Sequence, residues 1–175
     1  LEVADQLNIY INSNMTSLNG APNLISTTGI YLYENNALVD ITELSDIQSV
    51  NLLSISGNAL TNLEGLENIQ TVTGDIFIAN GILPNLNDLS SLSEVGGEIF
   101  LLNQTQLTDI SVFSNITSVD NLIILACDSL SSLDGLQNIT EIRGTLRMGF
   151  MPLLEELTIF QNLTTVGSLD FYENA

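Results

Sequence analysis

Asp75 and Glu98 are the residues whose types and spacing best suit catalysis or metal binding, because they occupy equivalent places one sequence repeat apart. Two carboxylates on neighbouring turns of a repeat structure suit the acid and base of glycosidic bond cleavage, or a loose Ca²⁺ site. A solvated acidic edge is the plainer interpretation. The chain has no histidine and no lysine, so it lacks the usual constellations for nucleophilic or metal-dependent catalysis. We therefore expect no enzyme activity and no cofactor beyond weakly bound Ca²⁺.

The single cysteine, Cys127, cannot form a disulfide within the chain. A reactive thiol needs a cationic neighbour that lowers its pKa, and only Arg143 and Arg147 are available for that role. A small residue that fills a turn is the simpler interpretation of Cys127.

The charge balance excludes several classes of partner. The chain has 21 acidic residues and two arginines, which gives a net charge of −19. Nucleic-acid binding requires a cationic surface for the phosphates, so it is excluded. The same charge disfavours an anionic membrane surface, and no apolar run is long enough to insert into a bilayer.

A repeat of about 23 residues organises the chain. The segment that starts at Asn115 has counterparts that start at Asn68, Asn138 and Asn162. A repeat of this length indicates one supersecondary unit that is stacked many times. Seven coils and part of an eighth account for residues 1–175 as one solenoid domain.

Five apolar positions in each repeat are spaced three residues apart, which fits neither an α-helix nor an alternating strand. In one coil they are Leu83, Leu86, Leu89, Leu92 and Val95. The spacing predicts a tight arc whose every third side chain points inward. A short alternating segment follows each arc and predicts a strand with an outward middle residue.

These elements predict an all-β, right-handed parallel β-solenoid, since parallel crossovers are right-handed in nearly all cases. The outward strand residues then form a partly apolar binding face, with Tyr10 as the middle residue of the first strand and, further along, Tyr31, Tyr33, Phe77, Phe100, Leu102, Ile123 and Leu125. Contiguous exposed apolar surface usually marks an interaction site. A covering loop or domain, or a different strand register, would remove that surface.

One polar position in the arc is asparagine in five coils, and this predicted ladder consists of Asn23, Asn68, Asn115, Asn138 and Asn162. Such side chains are expected to bond turn backbone groups of adjacent coils. Asn-X-Thr sequons make five asparagines candidates for N-glycosylation in a secreted chain, namely Asn14, Asn103, Asn115, Asn138 and Asn162. Ladder asparagines about 4.8 Å apart would crowd their glycans. Asn14 and Asn103 are therefore the better candidates.

The pattern L-x-x-L-x-G-L-x-N-I-x-x-V-x-G, over residues 60–78 and 130–148, resembles the repeats of the receptor L domain. That domain is the leucine-rich β-helix of insulin-receptor and epidermal-growth-factor-receptor ectodomains, and it also occurs in fungal cell-wall and bacterial surface proteins. The resemblance covers nearly the whole chain and implies a secreted or cell-surface protein. Without paired cysteines, the chain is closer to microbial surface proteins than to hormone receptors. The shared motif is structural, so it transfers no functional residue.

We therefore expect a non-catalytic recognition or adhesion module that binds a protein or carbohydrate partner through the strand face. A subunit that self-associates head to tail into a filament or surface layer is the competing class, and a polysaccharide-active enzyme is the third. Neither end of the sequence carries an obvious polar cap. We expect both ends to be covered, either by further coils of a longer polypeptide or by the next subunit.

Overall fold

A computed structural model describes residues 3–20 and 24–175, so Asn23 lies outside the described part. The strands are β1 (Val3–Tyr10), β2 (Ser26–Tyr33), β3 (Ser49–Val50), β4 (Leu52–Ser56), β5 (Thr71–Val72), β6 (Ile76–Gly81), β7 (Glu94–Val95), β8 (Ile99–Gln104), β9 (Ser118–Val119), β10 (Leu122–Leu125), β11 (Glu141–Gly149) and β12 (Thr165–Tyr172). The main sheet has the order β1-β2-β4-β6-β8-β10-β11-β12, and β9 also pairs with β11. A second sheet has the order β3-β5-β7. The described strand pairs are parallel. The predicted all-β solenoid of about seven turns is confirmed.

The three-residue spacing of the arcs has its origin in 3₁₀ geometry. Short 3₁₀ helices lie at Thr42–Leu44, Asn87–Leu89, Ser111–Asn115 and Thr158–Asn162. A 3₁₀ helix has three residues per turn, so side chains at i and i+3 point the same way. In one arc, the N–H of Leu89 donates to the carbonyl of Leu86 and that of Leu92 to Leu89, both at 2.9 Å. All three leucines are fully buried as a result.

A short polar side chain begins six of the arcs. The carboxylate of Asp40 accepts the N–H of Thr42 at 3.0 Å, and that of Asp109 accepts the N–H of Ser111 at 2.8 Å. These main-chain bonds hold the pKa of both carboxyls below the ordinary value. In four other coils a side-chain oxygen likewise accepts the main-chain N–H two residues further on, and the acceptors are Ser17, Asn62, Asn85 and Ser132. Such turns satisfy a backbone donor where the chain changes direction.

Eight strands of the main sheet, all except β9, have one residue with left-handed backbone at or next to their end. The φ angles lie between 51° and 65° at Ile11, Glu34, Gly57, Asn80, Asn103, Ala126, Phe150 and Glu173. The N–H of this residue donates to the strand end of the next coil, for example from Gly57 to Ala79 at 3.2 Å. Only one of the eight residues is glycine. Stabilisation from the stacked coils therefore outweighs the cost of about 1–2 kcal/mol of placing each non-glycine residue in the left-handed conformation.

Candidate functional site

Three neighbouring strands carry the apolar part of the outer sheet surface. The register pairs Phe77 of β6 with Phe100 of β8, and Phe100 with Ile123 of β10. Two residues further along, Leu102 pairs with Leu125. We call these five residues the apolar face. All five are partly exposed, and parallel strands place them about 4.8 Å apart, so they form one contiguous surface.

Two phenylalanines stack on each other in the apolar face, with Phe77 at its edge and Phe100 between Phe77 and Ile123. Their ring centroids are 4.8 Å apart and their planes differ by 9°. Stacked aromatic pairs of this kind contribute about 0.5–1.5 kcal/mol beyond the area they bury. Each ring covers one face of the other, and Ile123 follows Phe100 in the same row. The pair therefore presents mainly ring edges outward.

The tyrosines of the predicted binding face lie apart from these five residues. In the register, Tyr31 is separated from Phe77 by Ser54. Tyr33, which is 45% exposed, is separated from the apolar face by Ser56 and by buried Ala79. The structure thus divides the predicted face into a tyrosine patch and the apolar face.

The predicted register of the first strand was wrong. Tyr31 pairs with Asn8, and Tyr10 pairs with Tyr33. The reason is that β1 ends at Tyr10, and Ile11 takes the left-handed exit position with φ of 56°. The shift is two residues, so Tyr10 keeps its side of the sheet but moves to the next row.

A polar row runs beside the apolar face, two residues before it on each strand, and consists of Asp75, Glu98 and Asn121. The Asp75 carboxylate accepts the main-chain N–H of Glu98 at 2.8 Å. Burial, and then the charge of Asp75, raise the pKa of Glu98 above the ordinary value. The two residues are therefore adjacent, as their sequence positions predicted, and the Glu98 carboxylate is partly desolvated whereas Asp75 is exposed.

Metal binding at this row is not supported by further ligands. Within residues 3–20 and 24–175, no group of three or more His, Cys, Asp or Glu side chains is placed to hold a metal ion. One Asp75 oxygen already accepts a main-chain bond. Ca²⁺ binding at Asp75 and Glu98 stays a prediction.

Cys127 is fully buried, and desolvation raises the pKa of its thiol to about 11. The two arginines lie elsewhere, in ion pairs of 2.6 Å between Arg143 and Asp120 and 2.8 Å between Arg147 and Asp170. The thiol is therefore protonated near neutral pH and is unsuited to act as a nucleophile.

Three of the ladder asparagines bond the preceding coil through Nδ2. Asn68 donates to the carbonyl of Ser45 and Asn138 to that of Ser114, both at 2.8 Å. Asn162 donates to Gln137 at 2.9 Å. N-glycosylation would modify the same nitrogen, so a glycan at Asn138 or Asn162 would replace one of these bonds.

The remaining sequons also lie at exposed asparagines, and glycosylation stays a prediction at each of them. Asn115 occupies the arc position, and Asn14 lies in the turn after β1. Asn103 has the left-handed exit conformation and donates through Nδ2 to Asn80 at 3.2 Å.

The sequence interpretation missed a second asparagine column, which lies just after the left-handed exit residues. The N–H of Asn12 donates to Oδ1 of Asn35 at 3.0 Å, and that of Asn35 to Oδ1 of Asn58 at 3.3 Å. Nδ2 of Asn35 and of Asn58 also reaches a strand carbonyl of the preceding coil, at 2.8 and 2.9 Å. The separation of 23 residues between successive members was the available signal. We call this column the inner ladder.

Comparison with known protein families is consistent with this architecture. A profile for BspA type leucine rich repeat regions matches the chain in six copies, over residues 26–148 and 54–175. The chain belongs to this leucine-rich repeat family. A search of curated proteins found no match.

Leucine-rich repeats of this type are commonly surface-associated protein-interaction modules, and the family is generally a non-catalytic scaffold. No helix in the described part of this leucine-rich repeat chain is long and apolar enough to cross a membrane.

Proposed function

We propose that this leucine-rich repeat protein is a non-catalytic recognition module, secreted or at the cell surface, that binds a protein partner through the apolar face. One observation carries the proposal: Phe77, Phe100 and Ile123 are aligned on adjacent strands and stay partly exposed. Flat apolar surface of this kind is typical of interaction sites. The family match and the receptor-L-domain-like repeat pattern support the surface setting.

The ring geometry favours a protein partner over a carbohydrate. Sugars bind aromatic side chains by stacking on an open ring face. In this protein Phe77 and Phe100 each cover one ring face of the other, their ring planes differ by only 9°, and Ile123 lies on the far side of Phe100. Ring edges and the branched side chains of Leu102 and Ile123 instead suit apolar protein side chains that fit between them.

The acidic row further defines the partner. Asp75 and Glu98 lie directly beside Phe77 and Phe100 on the same surface. The whole chain carries a net charge of −19, which attracts cationic partners and repels acidic ones. We therefore infer a partner whose apolar residues cover the apolar face and whose Lys or Arg residues pair with the acidic row.

A displayed library of random 12-residue peptides, selected on the immobilised protein, tests the proposal directly. Selected peptides are expected to be rich in apolar and basic residues. Phe100→Asp should weaken their binding at least about 30-fold, because it places a charge at the centre of the surface. Val39→Asp is the matched control, since Val39 is an exposed apolar residue away from the strand face.

The outcome of the peptide experiment separates the alternatives. Loss of binding in Phe100→Asp, with retention in Val39→Asp and an unchanged far-UV circular dichroism spectrum in both, supports the apolar face. Equal binding to Phe100→Asp and wild type, or equal loss in the control, would remove the face as the site.

The charge of the partner is tested with a second variant. Asn retains the oxygen that accepts the Glu98 N–H, so Asp75→Asn with Glu98→Gln should fold normally. Exposed ion pairs contribute about 0.2–1 kcal/mol each, so loss of two of them should lower the affinity roughly 2- to 30-fold, and the salt dependence of binding should flatten. Unchanged affinity would refute the basic partner while leaving the apolar face intact.

The filament class remains a second candidate because of one observation in β12. Leu169 and Phe171 are 54% and 38% exposed, whereas their partners on β11, Leu146 and Met148, are buried. Further coils of a longer polypeptide or a second copy stacked on this coil would cover them, and head-to-tail contacts between copies propagate without closing. Sedimentation velocity should then show larger assemblies as concentration rises, and Leu169→Glu should abolish them. A single sharp species at all concentrations argues against this candidate.

A further inference from the structure

The inner ladder is interrupted in the middle of the solenoid. Gly81 follows Asn58 in the column, and Gln104, Cys127 and Met151 occupy the next coils. Asn174 resumes the pattern, since its Oδ1 accepts the N–H of Met151 at 3.2 Å. At the interruption, the main-chain N–H of Asn58 faces a glycine, which offers no side-chain acceptor.

Gln104 turns its carboxamide into the space that this glycine leaves. A Cβ built on Gly81 would lie 2.9 Å from both Nε2 and Oε1 of Gln104. Gln104 is fully buried. Within the described part of the chain, neither Nε2 nor Oε1 has a hydrogen-bond partner. A buried carboxamide without partners is costly, by about 1–3 kcal/mol for each unsatisfied group, so native structures rarely retain one.

A small cavity lies at the same place. Its lining includes Gln104, Gly81 and Asn58 together with apolar side chains from the neighbouring coils, and its volume is about 10 Å³. A volume of roughly 10–15 Å³ on this measure holds one water molecule, provided that two to four polar groups bind it. The carboxamide of Gln104 and the N–H of Asn58 supply those groups.

We propose that one ordered water molecule is bound in this cavity and replaces the missing asparagine carboxamide of the inner ladder. The water accepts a hydrogen bond from Nε2 of Gln104 or from the Asn58 N–H, and donates to Oε1 of Gln104. The inner ladder is thereby continued across the glycine by solvent. This site is independent of the apolar face, because it lies inside the coil and not on the outer sheet surface.

A high-resolution crystal structure and solution NMR of the whole chain test the proposal together. Density for one water should lie about 2.7–3.2 Å from the Gln104 carboxamide. The side-chain amide protons of Gln104 should give a rotating-frame cross-peak with water that has the sign of dipolar transfer, not that of hydrogen exchange. Gln104→Met, which keeps the length and removes the carboxamide, should lose the water density.

A ladder-restoring variant gives a second readout. Gly81→Asn with Gln104→Asn supplies a carboxamide at both positions, so it should expel the water and raise the melting temperature above that of wild type. The proposal is overturned if the wild-type cavity is empty, if Gln104 turns outward to solvent, or if the density persists unchanged in Gln104→Met.

Discussion

Leu89→Ala is the sharpest test of the stacking that holds the solenoid together. Leu89 is fully buried at the end of the 3₁₀ helix Asn87–Leu89. The equivalent residues in the adjacent coils, Leu66 and Phe113, are fully buried as well. Truncation of the Leu89 side chain therefore removes the middle member of a continuous apolar column.

The expected cost follows from two contributions. Loss of three buried carbon atoms accounts for about 2.4 kcal/mol at about 0.8 kcal/mol each. The neighbouring side chains belong to coils with their own hydrogen bonds, so they cannot move in to fill the space, and the cavity adds to the cost. We expect a loss of about 3–5 kcal/mol in the free energy of unfolding, within the range for rigid cores.

Urea unfolding followed by circular dichroism measures this cost, and thermal unfolding should show a fall of roughly 6–20 °C for a chain of this size. Leu157→Ala is the matched control. Leu157 is an inward arc residue of a later coil, at the position equivalent to Leu86, but it is 37% exposed. It should cost less than about 1.5 kcal/mol, because little apolar area is lost and no closed cavity forms.

Two results would refute the reasoning. A change below about half a kcal/mol in Leu89→Ala would show that the column is not a packed core. A Leu157→Ala variant as destabilised as Leu89→Ala would show that burial in adjacent coils does not determine the cost.

Three further predictions concern single positions. Gly65→Ala should lower the free energy of unfolding by about 1–3 kcal/mol in urea titrations, since Gly65 has φ of 109° and an added Cβ would lie 2.8 Å from Cα of Thr42. Gly57→Ala should be far less destabilising, because Gly57 has an exit position that other coils fill with non-glycine residues. Asp109→Ala should cost about 0.5–2 kcal/mol by removing the acceptor of the Ser111 N–H, while Asp109→Asn keeps an acceptor and should be nearly neutral. The lowered pKa of Asp109 also means that its stabilisation is present above the ordinary carboxyl pKa and is lost as pH falls through the folded value; Asp109→Asn should remove that dependence in acid titrations. Native Cys127 should resist alkylation by iodoacetamide at pH 8, and rapid alkylation of the folded protein would contradict the buried site. Because burial raises the pKa of the thiol to about 11, its contribution to stability should fall as pH rises from the ordinary thiol pKa through about 11.

The repeat pattern by itself determined the fold and the composition of the core. Apolar residues three apart, followed by a short alternating segment, are compatible with one arc and one strand per coil, and the spacing of about 23 residues stacks those units in parallel. The outward positions of Phe77, Phe100 and Ile123 also follow from the sequence, because side chains alternate along a strand and the internal coils align without ambiguity. The adjacency of Asp75 and Glu98 follows from the same alignment.

Only the tertiary structure decided the features that depend on contacts between particular coils. The register of β1, the stacking of the two phenylalanine rings and the inner ladder each require knowing which atoms of one coil face the next. Repeat spacing predicts which residues are equivalent, but a shift of one or two residues at a turn moves a side chain from the surface to the interior or to another row. Asn35 and Asn80 both follow an alternating strand segment in the sequence. In the structure Asn35 is buried inside the coil, whereas Asn80 is exposed. The reason is that the left-handed residue is Glu34 in the first coil, one residue before Asn35, but is Asn80 itself in the other coil.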